Sequence, residues 1–307
     1  MQLRLLAPRY WLTWVGLGLL RLVALLPFAC IIGLGRLLGA VLRRLPLGFV
    51  RTARRNIELC LPELSREERE RLLNQHFASL GIALLEIPFA WWGNPARLAR
   101  LLHMQGVEYL HAAQARNRGV ILLSAHFTSM EMAGRALVTV APVGFLYRPP
   151  KNEVLAYALS RFRLAYGGYP IPRHDIRAFV SALKRNECVW YAPDQAYRKK
   201  GAEMVPMFGI PAATNTLTSR FARMTGAAVL PYFVRRLPGT QGYSAVIHPP
   251  LEDFPSDSAV ADTERFNRMI EAQVRLAPEQ YLWIHRRFKG LTEDYPDYYG
   301  RQAPRRA

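Results

Sequence analysis

Over the last two thirds of the chain, short aliphatic runs alternate with stretches of helical pattern. The runs fall at 119–124, 143–147, 188–192, 227–234 and 243–248, and the helical stretches at about 108–117, 129–140, 152–165, 175–185, 213–225 and 262–276. Strands that take turns with helices must lie side by side, with the helices crossing back over the sheet faces. The alternation therefore predicts an α/β fold with a mainly parallel sheet flanked by helices. Half of the 307 residues are hydrophobic, enough for a sizeable core. In such folds the loops beyond the carboxyl ends of the strands build the site. His126, Arg148 and Asp194 each fall just past a predicted strand.

The N-terminus sets a second constraint. From Trp11 to Leu34 the chain reads WLTWVGLGLLRLVALLPFACIIGL. As one helix rising 1.5 Å per residue, it would cross a hydrocarbon layer of roughly 30 Å. Arg21 opposes insertion by about 2.5–3.5 kcal/mol. Thirteen Leu, Ile, Val and Phe residues favour it, by roughly 0.3–0.6 kcal/mol each. The balance predicts an N-terminal membrane-anchoring helix, transmembrane or, if Pro27 kinks it, lying in the interface. A cleaved signal peptide fits poorly, because the run exceeds an h-region and Arg36 follows where small residues would be needed. The expected division is an anchor over 1–45 and a catalytic domain over 46–307.

Charge identifies the surface this helix meets. Lys and Arg number 41 against 23 Asp and Glu, a formal +18. Arg36, Arg43, Arg44, Arg51, Arg54 and Arg55 all precede the first acidic residue, Glu58. Such a cluster beside an apolar helix favours a cytoplasmic domain and anionic membrane lipids as partners, with no nucleic acid. Cys30, Cys60 and Cys188 are too few and too scattered for a disulfide framework or a metal site. Ser65-Arg66-Glu67-Glu68 opens a helix running to about Trp92, whose apolar last turns suit either a core helix or a second membrane contact.

The chemistry concentrates in SAHFTSMEMAG, Ser124 to Gly134. A histidine follows the aliphatic run Val120–Leu123, and a glutamate follows five positions later. If His126 lies in the turn and a helix starts near Ser129, the imidazole can fold back to Glu131. A carboxylate bonded to one ring nitrogen fixes the tautomer and leaves the other nitrogen as a base. Equally, Thr128-Ser129-Met130-Glu131 is a capping-box pattern, in which Glu131 would only cap the helix. No serine or cysteine sits in a nucleophile elbow, so the pair would activate a substrate hydroxyl.

His-x4-Glu after an apolar strand resembles the motif of the glycerolipid acyltransferase superfamily. YRPPKN (147–152), VWYAPDQ (189–195), VPMFGIPAATNT (205–216) and YLWIHRRFK (281–289) narrow the resemblance to the lipid A late acyltransferases, the lauroyl and myristoyl transferase family. The similarity runs from the N-terminal helix to about Tyr299. It implies acyl transfer from acyl carrier protein to a hydroxyl of a lipid A precursor of the Kdo-lipid IVA type. The reaction would take place on the cytoplasmic side of the bacterial inner membrane, without cofactor or metal.

The resemblance makes His126 the general base and Glu131 its orienting partner. A phosphorylated, acidic acceptor calls for arginine forks. Arg148 and Arg173, with Lys151, Asn152, Asp194 and Gln195, are the expected substrate-binding residues, and His285 is expected to be structural. Two other classes stay open: an acyltransferase for another lipid acceptor, and a non-catalytic basic membrane-binding protein.

Overall fold

The structure is a computed structural model that describes residues 3–147, 150–172 and 175–300. Among these, in chain order, the elements are α1 (Trp11–Val23), α2 (Phe28–Arg44), α3 (Gly48–Cys60), α4 (Arg66–Trp92), α5 (Pro95–Ala99), β1 (Leu102–Gln105), α6 (Val107–Gln114), β2 (Val120–Leu123), α7 (Met130–Leu137), β3 (Val143–Tyr147) and α8 (Glu153–Ala165). There follow β4 (Gly168–Pro172), α9 (Ile176–Lys184), β5 (Cys188–Tyr191), β6 (Ala202–Met207), β7 (Ile210–Asn215), α10 (Leu217–Thr225), β8 (Ala228–Arg236), β9 (Tyr243–Ile247) and α11 (Ala259–Leu276).

Seven strands form one sheet in the order β1-β9-β8-β2-β5-β3-β4, and β6 and β7 form a separate hairpin. Every neighbouring pair in the large sheet is parallel except β8 and β9. The mainly parallel α/β fold is thus present. β1, β4 and the β6–β7 hairpin are additions to the expected strands.

The central strand explains why its sequence is aliphatic throughout. All four residues of β2 are buried. Val120 and Leu122 face the helical layer containing Ile82, Met132 and Leu137, while Ile121 and Leu123 face Phe179, Phe221 and Ile270. A strand covered on both faces reads as a continuous apolar run.

The N-terminal expectation is corrected. No helix among the described residues is long and apolar enough to cross a membrane. Pro27 lacks the N–H that would continue α1, and the chain restarts there as α2. At 1.5 Å per residue the pieces are only about 20 and 25 Å long, and α2 carries Arg36, Arg43 and Arg44. Instead, both helices are two-sided. Leu17, Phe28, Ile31 and Ile32 are buried, whereas Trp11, Leu12, Val15, Leu19 and Leu22 of α1 and Leu34, Leu37 and Val41 of α2 are exposed. Gly35 and Gly39 let α2 lie backbone to backbone on α4: a Cβ on Gly81 would come within 2.1 Å of the Gly35 carbonyl oxygen. The apolar end of α4 is a core helix, with Ile82, Phe89, Ala90 and Trp91 all buried.

Candidate active site

Sheet register puts two polar residues face to face. β2 and β5 run parallel with Leu123 beside Tyr191. Three residues past each pairing lie His126 and Asp194. The Asp194 carboxylate is buried and accepts three hydrogen bonds. His126 N–H donates to Oδ2 at 2.9 Å, His126 Nδ1 lies 2.5 Å from Oδ1, and the Tyr281 hydroxyl donates to Oδ2 at 3.2 Å.

The electrostatics follow from burial and pairing. Burial alone would raise the Asp194 carboxyl, but the His126 charge and hydrogen bonds, with the buried Arg287 guanidinium, hold it below the usual carboxylate range. Burial likewise works against a charged His126, yet the Asp194 charge and hydrogen bond outweigh it and raise the imidazole above its usual value. Since an ionised carboxylate can only accept, Nδ1 of His126 carries the proton and Nε2 of the neutral ring presents its lone pair. The arrangement can take a proton from a hydroxyl.

The C-terminal segment clamps this turn. The Leu282 N–H donates to the His126 carbonyl at 3.0 Å, and the Thr128 N–H donates to the Gln280 carbonyl at 2.7 Å. Asn56 Nδ2 donates to the carbonyls of Trp283 and His285 at 2.6 and 2.7 Å, tying α3 to the same segment. The ring of His285, which burial pushes down to about 4, accepts the Ala196 N–H at 3.2 Å. It is therefore a neutral support for the loop carrying Asp194 and Gln195. From the other side, Arg236 forms a buried bidentate pair with Glu86, at 2.5 and 2.7 Å, and donates to Ser79, whose hydroxyl lies 2.7 Å from that of Thr128.

Glu131 is placed differently from the expectation. The Nδ1 partner of His126 is Asp194, while the Glu131 carboxylate accepts from Trp91 Nε1 at 3.1 Å. Nor does Glu131 cap its helix. α7 has no side-chain cap, because the Thr128 hydroxyl is engaged with Ser79 and the Ser129 hydroxyl with the Val234 carbonyl. His126 and Glu131 do share a cavity of about 170 Å³ lined also by Met130, Val138, Phe145, Leu146, Phe162 and Trp190.

The other expected residues scatter. Gln195 lines a small pocket with His126, Asp194 and His285. Asn152 caps α8 through Val154 and Leu155 N–H and donates to Thr13 of α1 at 2.8 Å, and Lys151 is exposed. Arg148 and Arg173 lie outside the described residues. Among the described residues no group of His, Cys, Asp and Glu converges to hold a metal. Sequence reading passed over Tyr281, Arg287 and Asn56. The only local signal for the first two was their place in the YLWIHRRFK stretch.

An imidazole oriented by a buried carboxylate, opening at the carboxyl edge of a parallel sheet on a cavity with aromatic, aliphatic and charged walls, is equipment for general-base chemistry on an amphiphile. Comparison with known proteins gives that chemistry a family. Residues 1–290 match the model of the bacterial lipid A biosynthesis acyltransferases. The chain is 38% identical over 296 residues to the lipid A biosynthesis lauroyltransferase of Escherichia coli (strain K12), covering 96% of this chain and 97% of that one. It is 40% identical over 285 residues to the palmitoleoyltransferase of the same strain, covering 92% and 93%. It is 27% identical over 283 residues to that strain's myristoyltransferase, covering 90% and 86%. The protein is an acyltransferase, and the chain belongs to the bacterial lipid A biosynthesis acyltransferase family.

Proposed function

We propose that this acyltransferase moves a fatty acyl chain from acyl carrier protein to a hydroxyl of a lipid A precursor of the Kdo-lipid IVA type. The observation that carries the mechanism is the Nδ1 contact between His126 and the buried Asp194, with His126 itself at the wall of the cavity that Phe145, Phe162 and Trp190 also line. His126 Nε2 takes the acceptor hydroxyl proton as the oxygen attacks the thioester carbonyl. Asp194 holds the tautomer and stabilises the imidazolium that forms. Glu131, fixed by Trp91, is a second carboxylate on the wall of the same cavity. The proton then passes to the leaving thiolate, and the apolar walls receive the acyl chain.

The same reading seats α1 and α2 in the plane of the inner membrane on its cytoplasmic side. The exposed leucines would enter the acyl boundary, and flanking arginines such as Arg21 and Arg36 would meet anionic headgroups. Arg198, Lys199 and Lys200, exposed just beyond Gln195, offer an acidic carrier protein a complementary surface. The test is transfer of labelled acyl chain from acyl carrier protein to three acceptors: the lipid A precursor, a lysophospholipid and a glycolipid lacking the phosphates. Preference for the first supports the proposal. Equal or greater transfer to either other acceptor overturns the acceptor assignment.

A further inference from the structure

A second and larger cleft adjoins the catalytic turn. It encloses about 530 Å³, within the roughly 300–1,000 Å³ of small-molecule sites, and shares no lining residue with the His126 cavity. Arg36 comes to it from α2, and Gln75 and Ser79 from one face of α4, a turn apart. The end of β8 brings Arg235 and Arg236, and the segment after α11 brings Glu279 and Gln280. Two of these hold Thr128, two positions past His126. The Ser79 hydroxyl lies 2.7 Å from the Thr128 hydroxyl, and the Gln280 carbonyl accepts the Thr128 N–H at 2.7 Å.

The charges in this cleft are unevenly paired. Arg36 and Arg235 are exposed, and neither guanidinium has a hydrogen-bond or ion-pair partner among the described residues. Their neighbours are matched: Arg43 and Arg54 share Glu70, Arg275 pairs with Glu63, and Arg236 is neutralised by the buried Glu86. Two unpaired guanidiniums from separate elements suit a phosphate, which each can grip with parallel N–H donors. The lining also holds one carboxylate, Glu279, and the exposed amide of Gln75. Glu279 would repel a bare polyanion, whereas hydroxyl groups would donate to it and exchange hydrogen bonds with Gln75. Phosphate and hydroxyls on one compact scaffold describe a phosphorylated sugar. The rim adds an apolar part. Leu34 and Leu37, flanking Arg36 in α2, and Leu276 at the end of α11 are exposed, so chains attached to that sugar have apolar surface beside it. Resting on the acceptor proposed above, we infer that this cleft holds the phosphorylated sugar head of the acceptor lipid, with Arg36 and Arg235 on its phosphate.

Removing one guanidinium from a charge-assisted phosphate contact should weaken binding of the head by about tenfold. Arg36 and Arg235 sit on different elements and share no partner, so their losses should multiply to about a hundredfold. In acyl transfer the loss should appear in the acceptor KM more than in kcat, because neither arginine lines the His126 cavity.

The probe is the water-soluble head of the lipid A precursor, stripped of its acyl chains and titrated calorimetrically into the full chain in detergent, with no acyl donor present. Wild type is compared with Arg36→Gln, Arg235→Gln and the double variant. A charge-matched control changes Arg177 and Arg220 to glutamine, two exposed arginines of α9 and α10 outside the cleft. Melting curves establish that each protein is folded. Wild type and control should bind the head alike, with losses of about tenfold in the single variants and about a hundredfold in the double. After phosphatase treatment the head should bind all five proteins weakly and without distinction. Affinity within about threefold of wild type in the folded double variant, or an equal loss in the control, overturns the site. Inorganic phosphate competing as tightly as the head overturns the sugar assignment. Arginine-dependent binding of the head without acyl transfer to the intact precursor removes the acceptor reading and leaves a phosphorylated-sugar site. Transfer to the precursor with arginine-independent binding of the head does the reverse.

Discussion

Replacing Asp194 by asparagine keeps the volume of the side chain and removes its charge. Asp194 Oδ2 already receives two donors, the His126 N–H and the Tyr281 hydroxyl. The amide oxygen must take that position, which turns the NH2 group toward His126 Nδ1. A donor facing Nδ1 moves the imidazole proton to Nε2, the atom that should act as base. The expected loss of turnover is about 10²–10⁴-fold, or roughly 3–5 kcal/mol of transition-state stabilisation. The pH profile gives a second signature. With Asp194 present, the His126 imidazole is held above its usual value of about 6.5. The rate should rise with pH through that raised value, since only the neutral ring accepts a proton. In Asp194→Asn the opposing charge is gone while burial remains, so the acid limb should move to lower pH as the plateau falls. Initial rates between about pH 5 and 9, with melting curves for each protein, measure both effects. A folded Asp194→Asn enzyme retaining more than about a tenth of the wild-type plateau, or one whose acid limb stays in place, would show that Asp194 does not set the His126 tautomer.

Glu131→Gln can still accept from Trp91 and should fold normally, but it removes a carboxylate from the cavity wall shared with His126 and should lower turnover; full activity at unchanged melting temperature would remove Glu131 from the mechanism. His285→Ala should lower turnover by loosening the Ala196 N–H and the loop bearing Asp194, whereas His285→Gln, which can still accept that bond, should recover part of the loss; equal activity of the two variants would exclude this positioning role. Changing Leu12, Leu19 and Leu22 together to serine should weaken sedimentation with anionic vesicles by about a hundredfold or more, at roughly 1.5–3 kcal/mol for each buried leucine; unchanged sedimentation would contradict an in-plane anchor. The His126–Asp194 pair should stabilise the fold over a bounded window. The raised His126 contributes below about 6.5 and is lost as pH rises through its folded value, and the lowered Asp194 contributes above about 3.9 and is lost as pH falls through its own. Melting temperature against pH, wild type minus His126→Ala, should peak between those limits, and a flat difference would count against the coupling.

The sheet and the position of His126 were legible because both rest on local pattern. Val120–Leu123 is apolar at every position since both faces are covered, and a strand end is a sequence-level feature. Asp194 was found as a strand-end residue, but its bond to His126 spans 68 residues and depends on the register of β2 with β5. The nearer carboxylate, Glu131, was the natural guess for that partner. It missed because the first turn of α7 directs Glu131 toward Trp91 on α4. The single membrane-spanning helix fails for a similar reason. Hydropathy sums Trp11 to Leu34 as one helix, whereas the missing N–H of Pro27 divides it and packing on α4 buries only one side. Asn56 ties α3 to the C-terminal segment, and Tyr281 and Arg287 tie that segment to Asp194 and Ala213; no local pattern encodes contacts over such separations.

In the proposed mechanism His126 removes the proton from a lipid A precursor hydroxyl while the acyl thioester is attacked. Its most direct test is a single-turnover measurement of acyl transfer from acyl carrier protein to that precursor, wild type against His126→Ala, in proteins matched for melting temperature. A fall of about 10²–10⁴-fold in the transfer rate is expected, with binding of the acyl donor retained. A His126→Ala protein that transfers within about tenfold of wild type would contradict it.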